Sequence, residues 1–220
     1  MADSSLDELP VPQSVVLAYA PAPLRDAWQA YFTLDAQLAE LVRKASEPML
    51  GQLRLAWWRD RLQEPTAAWP KGNPLLALIE RSWGVKAAEL TPLVDGWEHI
   101  LADPPIAPLD VDLFALGRAR AMRSLAEMSG SGGAAQSVDI ATKRWALADL
   151  ATHIDEGEER QTVLGVAAQM GTGAARLERS MRPLAILDGL ARRSLANNSA
   201  PLFSGRKAAL VTLRLGIFGY

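Results

Sequence analysis

The chain has 220 residues, of which 49% are hydrophobic and 22% charged, so it is long enough to bury one sizeable core as a single domain. Its 23 basic and 25 acidic residues give a formal net charge of −2 without a basic stripe, which argues against nucleic acid as a partner. The absence of cysteine excludes disulfides, thiolate metal sites and a cysteine nucleophile.

The N-terminal segment and the hydropathy pattern bear on location. Residues 1–8 are acidic where a secretory or mitochondrial targeting sequence would be basic, and no apolar run approaches the roughly 18 residues of a spanning helix. We therefore expect no transmembrane segment and a location in the cytoplasm, or peripherally at the inner face of a membrane. Residues 1–14, with Pro10 and Pro12, are predicted to be a poorly ordered lead-in to a domain that covers residues 15–220.

The domain is predicted to be all-α, with seven to nine helices and no sheet, because the sequence is rich in Ala and Leu and lacks sustained period-two alternation. The first predicted helix covers residues 24–44. Its apolar side carries Trp28, Tyr31, Leu34, Leu38, Leu41 and Val42 at helical spacing.

The second predicted helix starts at Ser46, which can cap it, places Pro48 in the first turn and ends before Pro65. Its apolar residues form two faces, one with Leu50, Leu53 and Trp57 and the other with Leu55, Trp58 and Leu62. A helix that is apolar on two faces is expected to be sandwiched between neighbours.

The remaining elements are separated by prolines and glycines. Asn73 with Pro74, and Thr91 with Pro92, are pairs that can open helices, and Gly205 introduces the last one. Further helices are predicted at about 74–82, 91–101, 110–128, 135–154, 163–170, 174–196 and from 205 onward. The 174–196 helix is expected to kink near Pro183.

Residues 54–60, RLAWWRD, resemble the R-L-x-W-W-R-D signature of the squalene/phytoene synthase family, the head-to-head prenyl synthases. The preceding residues 46–51, SEPMLG, are similar to a branch of that family related to assembly factors of respiratory complex I. The resemblance implies a single-domain helical bundle of the isoprenoid synthase type. It also implies a chemistry in which Mg²⁺ ions, held by aspartates on two facing helices, neutralise a departing diphosphate.

The first aspartate motif implied by the resemblance, D-x-x-x-D, is expected at residues 39–43. The sequence places Ala39 and Arg43 at its two outer positions, so only Glu40 keeps a carboxylate there. A shift in register that brings Asp35 into the motif fails because Ala39 stands four residues later. The first Mg²⁺ site is therefore expected to be degenerate.

The second motif is expected within residues 148–157, where the family spacing puts His153 and Gly157 at the aspartate positions. Asp149 and His153 stand at i and i+4, on one helix face, and can together ligate a metal. An Asp/His pair is a poor substitute for the all-oxygen site that suits Mg²⁺. We therefore expect no resident metal and assign no residue a catalytic role.

Two groups of arginines are candidates for binding an anionic head group. Arg54, Arg59 and Arg61 lie next to Trp57 and Trp58, and a guanidinium can bind a diphosphate or stack on an indole. Arg118, Arg120 and Arg123 follow Phe114, where the synthases have an aromatic residue lining the cavity. Each group has a plainer interpretation, as a structural ion-pair network or a solvated helix face. The candidate ligand pocket comprises Glu40, Arg43, Arg54, Trp57, Trp58, Arg59, Phe114, Arg118, Asp149 and His153.

Three functional hypotheses follow. The preferred one is a non-catalytic protein of this family that binds an isoprenoid diphosphate or lipid-like ligand, or that contacts a protein partner at the membrane surface to assist assembly of a respiratory complex. The alternative is an active Mg²⁺-dependent prenyltransferase in which Glu40, Asp149, Asp155 and Glu156 form a divergent metal site. The third is a helical scaffold whose cavity is filled by its own side chains.

Overall fold

A computed structural model describes residues 9–45, 47–101, 105–155, 157–197 and 200–217. Within these ranges the chain is all-helical and contains no strand, as predicted. The α-helices are α1 (Val11–Leu17), α2 (Arg25–Arg43), α3 (Pro48–Gln63), α4 (Pro74–Trp83), α5 (Thr91–His99), α6 (Pro108–Met128), α7 (Ala135–His153), α8 (Glu158–Ala168), α9 (Arg182–Ala196) and α10 (Gly205–Ile217). A 3-10 segment, Gly84–Leu90, joins α4 to α5. No described helix combines the length and apolar character needed to cross a bilayer.

Local capping explains where the helices begin and end. The Asn73 side-chain oxygen accepts hydrogen bonds from the backbone N–H groups of Leu75 at 2.9 Å and Leu76 at 3.0 Å, while Pro74 occupies the first turn. Gly84, at φ +51°, terminates α4. The start predicted from Asn73 and Pro74 is therefore confirmed, and the helix ends one residue after the predicted end at about 82. Ser46, the cap predicted for α3, lies outside the described residues.

Two segments differ from the prediction. Residues 174–178 are not helical, and α9 begins at Arg182 with Pro183 in its first turn, so the predicted kinked helix over residues 174–196 is wrong. Proline lacks the N–H that a helix interior needs but fits the first turn, where that N–H would have no partner anyway. At the N-terminus α1 begins at Val11, so residues 11–14 of the predicted lead-in are helical.

The core lies around α6 and α7, which pack along each other, while α5 packs on α6 and α9 packs on α7. The inner face of α2 meets this pair through aromatic side chains. Phe32 stands edge-on to Trp145 at 5.9 Å between ring centroids, and Tyr31 lies 6.5 Å from the same ring. All three rings are fully buried. Helices α2, α6 and α7 thus converge on one interior region.

The α3 helix is covered on only one of its two apolar faces by the described part of the chain. Leu55, Trp58 and Leu62 are buried, and this face packs on α5 and the 3-10 segment. Leu53 on the other face is 68% exposed and Trp57 is 40% exposed. The predicted sandwich is therefore wrong for the described residues, because periodicity identifies an apolar face without identifying its neighbour.

This asymmetry predicts opposite results for two leucines on α3. Leu55→Ala should lower the free energy of unfolding by about 2–5 kcal/mol, because it leaves a cavity in a packed interface. Leu53→Ala should change it by no more than about 0.5 kcal/mol, since its side chain already contacts water. Urea denaturation followed by circular dichroism measures both values. Equal losses would show that the outer face of α3 is covered in solution.

Candidate functional site

The centre of the candidate site is Asp35 on α2. This helix turns Tyr31, Leu34 and Leu38 toward the core at helical spacing, and Asp35 falls within the same buried face. Its side chain is only 2% exposed. A carboxylate so placed loses its hydration and needs a cation or several hydrogen-bond donors in the interior.

Arg118 on α6 supplies that cation and extends to a second carboxylate. Its Nε donates to Asp35 Oδ1 at 2.9 Å and its Nη2 lies 2.8 Å from Asp35 Oδ2, a two-pronged contact. Its Nη1 donates to Asp149 Oδ2 on α7 at 3.0 Å. The guanidinium, 2% exposed, therefore bridges carboxylates from two different helices.

Aromatic residues enclose this ion cluster of Asp35, Arg118 and Asp149. The Arg118 Cζ lies 5.1, 4.9 and 4.8 Å from the ring centroids of Trp97, Phe114 and Trp145, within cation–π range. The indole N–H of Trp97 also donates to Asp35 Oδ1 at 2.8 Å. Ring faces attract a buried guanidinium, and these contacts hold its plane in place without removing its charge.

The charges in the cluster do not balance. One guanidinium faces two carboxylates, so the formal net charge is −1. Burial raises the pKa of Asp35 above its ordinary value, the charge of Arg118 opposes that rise, and Asp149 adds to it. Burial lowers the pKa of Arg118, but the charges of Asp35 and Asp149 outweigh burial and leave that pKa raised. Arg118 is therefore a permanent internal cation.

A cavity of about 340 Å³ opens beside the ion cluster. Asp35, Arg118 and Asp149 line one end, and Gln13 of α1 and Pro10 just before α1 also line the cavity. The rest of the wall is made largely of apolar side chains from α2, α7 and the segments that follow α5 and α7: Ala36, Ala39, Val42, Ile100, Leu150 and Ile154. This volume falls within the range typical of small-molecule sites, about 300–1,000 Å³. The cavity thus combines an apolar wall with a charged end.

A larger surface depression, of about 950 Å³, lies between α6, α7 and residues 169–176. Its buried arginine, Arg144, is already engaged, donating to Asp188 Oδ1 at 2.5 Å and to the Gly171 carbonyl oxygen at 2.7 Å. The smaller cavity is the better candidate site because a buried charge cluster with unbalanced charge faces it.

The cavity brings together half of the predicted site residues. Glu40, Arg43, Arg118, Asp149 and His153 all line it. Glu40 is exposed to solvent and paired with its own helix neighbours, at 2.6 Å from Arg43 and 2.5 Å from Lys44. Phe114 reaches the site indirectly, as a ring packed on the Arg118 guanidinium.

The other predicted residues lie elsewhere. Arg54 and Trp58 line a separate depression beside α2. Trp57 is partly exposed and stands edge-on to Trp58 at 5.1 Å between centroids. Arg59 donates to Asp95 at 2.7 Å and also to Glu98, both on α5. Arg59 therefore connects α3 to α5, as the structural interpretation of that cluster predicted.

Asp149 and His153 lie close together but differ in their surroundings, with His153 Nδ1 3.9 Å from Asp149 Oδ1. The Asp149 carboxylate turns inward to Arg118, whereas the His153 side chain is 69% exposed, with Nδ1 2.8 Å from the Asp149 carbonyl oxygen. Among the residues that the structure describes, no three histidine, cysteine, aspartate or glutamate side chains are grouped so that they could hold a metal ion. Glu156, part of the alternative metal site, lies outside the described residues, while Asp155 lines a different depression.

The candidate residues chosen from the sequence did not include Asp35, Trp97 or Gln13, and Asp35 was set aside because Ala39 stands four residues after it. A carboxylate inside an apolar helical stripe was the available signal for Asp35. The search for aspartate pairs within one helix could not detect it, because its partner Arg118 is 83 residues away on another helix. No comparable signal marks Trp97 or Gln13.

Comparison of the sequence with protein-family models and with curated proteins finds no match, and comparison of the structure with solved structures finds none either. The class that the fold defines is an all-helical bundle with a buried ion cluster beside a cavity. The similarity of residues 54–60 to squalene/phytoene synthases stays a hypothesis.

Proposed function

We propose that this protein is a non-catalytic ligand-binding protein, built on a bundle of the isoprenoid synthase type, in which a guanidinium takes the place of metal ions. The supporting observation is that Arg118 bridges Asp35 on α2 and Asp149 on α7. These are the helices to which the resemblance assigns the two aspartate motifs. Each carboxylate stands four residues, about one helical turn, before the predicted motif position.

The hydrogen bonds of Asp35 explain why this arrangement does not favour diphosphate ionisation. Its Oδ1 accepts from Trp97 and Arg118 and its Oδ2 pairs with Arg118, so both oxygens are engaged. A Mg²⁺ ion bound there would have to displace these donors and would lie against a permanent cation. Ionisation of a prenyl diphosphate needs divalent ions that stabilise the leaving group, so the proposal assigns no prenyltransferase activity.

The apolar wall of the cavity is the basis for assigning ligand binding instead. A site filled by its own side chains, as the scaffold hypothesis predicts, would leave no volume beside the cluster, whereas about 340 Å³ is open. Apolar walls favour a lipid-like or other largely hydrocarbon ligand, since binding removes its apolar surface from water.

Two measurements test the proposal. N-phenyl-1-naphthylamine, a neutral probe that fluoresces in apolar cavities, should bind the wild-type protein and lose at least tenfold in affinity with Ala39→Phe, which fills the cavity. Ala168→Phe, on the exposed face of α8, is the matched control and should bind the probe normally. Incubation with farnesyl or geranylgeranyl diphosphate and Mg²⁺ should release no pyrophosphate. Release with a coupled product would establish the prenyltransferase alternative.

A second candidate function is assistance in assembling a respiratory membrane complex, and the uncovered apolar face of α3 favours it. Leu53 and Trp57 present apolar surface that no described residue buries. If a subunit of the complex binds there, Leu53→Glu with Trp57→Glu should fail to restore complex levels in a deletion strain, while Asp60→Lys at the edge of that face restores them. If the double variant restores the complex fully, this surface is not the binding site for a subunit of the complex.

A further inference from the structure

The charged end of the cavity carries an excess of negative charge. If histidine is counted as neutral, the charged groups that line the cavity are three carboxylates and two guanidinium groups. They belong to Asp35, Glu40 and Asp149, and to Arg43 and Arg118. Glu40 and Arg43 neutralise each other at the solvent side. The buried cluster therefore gives the site a formal net charge of −1. Water screens this charge poorly because the cluster is buried.

Two hydrogen-bond acceptors at this end, one of them buried and without a donor, are not engaged by Arg118 or Trp97. Gln13 is 4% exposed, and its Oε1 has no hydrogen-bond partner among the described residues. Arg118 uses only Oδ2 of Asp149, whose Oδ1 lies 3.9 Å from His153 Nδ1, beyond hydrogen-bonding distance. Gln13 Oε1, as a buried acceptor without a donor, loses its bond to water and gains none in return. A ligand that fits this end should supply donors.

The donors of Arg118 and Trp97, in contrast, already have acceptors. The Nε, Nη1 and Nη2 atoms of Arg118 point to carboxylates, and the Trp97 indole N–H donates to Asp35. An anionic head group would find no uncommitted cluster cation and would stand beside Asp35 and Asp149. Burial is the largest cause of the raised pKa of Asp35 and Arg118 opposes it; the further rise from the like charge of Asp149 agrees with two carboxylates sharing one guanidinium.

We propose that the cavity binds an organic amine, with its ammonium group between Asp149 Oδ1 and Gln13 Oε1 and its hydrocarbon part along the apolar wall. This inference rests on the proposed ligand-binding function and names the chemical class of the ligand. It excludes an isoprenoid diphosphate, one of the ligands expected from the sequence. An ammonium group supplies three donors and one positive charge, which would neutralise the cluster.

Three eight-carbon compounds that differ only in head group test the proposal. Octylamine, octan-1-ol and octanoate are titrated into the full chain at pH 7 by isothermal titration calorimetry. We expect octylamine to bind at least tenfold more tightly than octanoate, with octan-1-ol between them, because the alcohol donates a hydrogen bond without carrying charge.

Two variants separate charge from hydrogen bonding. Asp149→Asn should reduce octylamine affinity about tenfold and leave octan-1-ol affinity nearly unchanged, while Asp35 still neutralises Arg118. Gln13→Leu should weaken both compounds because it removes an acceptor. Asp139→Asn, on the same helix but paired with Arg123 away from the cavity, is the matched control and should change neither affinity.

The outcomes distinguish this inference from the proposed function. Octanoate binding as tightly as octylamine, or equal octylamine affinity in wild type and Asp149→Asn, would overturn the amine assignment. If N-phenyl-1-naphthylamine binds and octylamine does not, the amine assignment is also overturned, but the proposed ligand-binding function still stands. Failure of every probe to bind would overturn both.

Discussion

Arg118→Leu is expected to lower the free energy of unfolding by about 3–5 kcal/mol at pH 7, since it leaves Asp35 and Asp149 in the interior without their cation. The Leu side chain retains part of the buried hydrocarbon, so the loss reports mainly on charge. Urea denaturation of wild type and variant measures the difference. A loss of less than about 1 kcal/mol in the free energy of unfolding would show that water, or other groups after a rearrangement, hydrogen-bond the two carboxylates.

Matched variants identify the cause of that loss. Arg123→Leu, also on α6, removes a partly exposed pair with Asp139 and should cost no more than about 1 kcal/mol. Adding Asp35→Asn and Asp149→Asn to Arg118→Leu should restore much of the stability, because neutral amides tolerate burial better than unpaired charges. If the triple variant recovers no stability, the loss in Arg118→Leu comes from lost packing against the three aromatic rings.

The Arg118→Leu variant should also respond to pH. Burial raises the pKa of Asp35 in the native protein, and removing the opposing guanidinium should raise it further. Between the unfolded value, about 3.9, and the raised native value, the folded state binds more protons than the unfolded state. The stability that Asp35 contributes is therefore present at low pH, and it is lost as the pH rises from the unfolded pKa through the native pKa. Relative to wild type, Arg118→Leu should gain stability on acidification from pH 7 to 5; a constant difference would contradict this explanation.

Gly117→Ala is the second substitution with a large expected effect, a loss of about 3 kcal/mol or more. An added Cβ would overlap the Pro92 carbonyl oxygen and stand 2.7 Å from Gly96 Cα, so backbone and not a flexible side chain would have to move. Helices α5 and α6 cross there, with Trp97 and Phe114 nearby in sequence. Trp97 lines the cavity and Phe114 packs on Arg118, so a shift of α5 against α6 would disturb the site. The folded fraction of Gly117→Ala should therefore bind N-phenyl-1-naphthylamine more weakly than wild type.

Gly165→Ala is the control for that substitution. Gly165 lies on the exposed side of α8, and nothing stands within 4 Å of a Cβ added there. Alanine at an exposed helix interior should stabilise the protein by about 0.5–1 kcal/mol relative to glycine. Thermal and urea denaturation of both variants should therefore give shifts of opposite sign. A neutral Gly117→Ala would mean that α5 and α6 are farther apart than in the structure.

Local chemistry made most of the helices predictable. Asn73 and Pro74 mark the start of α4 because a cap oxygen and a missing N–H act within four residues of each other. The same reasoning misplaced the start of α9, since Pro183 in a long apolar stretch is compatible with either a kink or a first turn. On α3 it identified two apolar faces and could not tell which of them a neighbour covers.

The amino-acid sequence alone determined the all-helical class, most of the inward stripes and the absence of D-x-x-x-D pairs at residues 39–43 and 148–157. These are properties of one helix at a time, read from spacing along the chain. Only the tertiary structure decided that Asp35, Arg118 and Asp149 meet, and that the unpartnered acceptor Gln13 Oε1 and an apolar wall lie beside them. The physical reason is that contacts over 31 and 83 residues depend on how helices cross and in what register, which local periodicity does not encode.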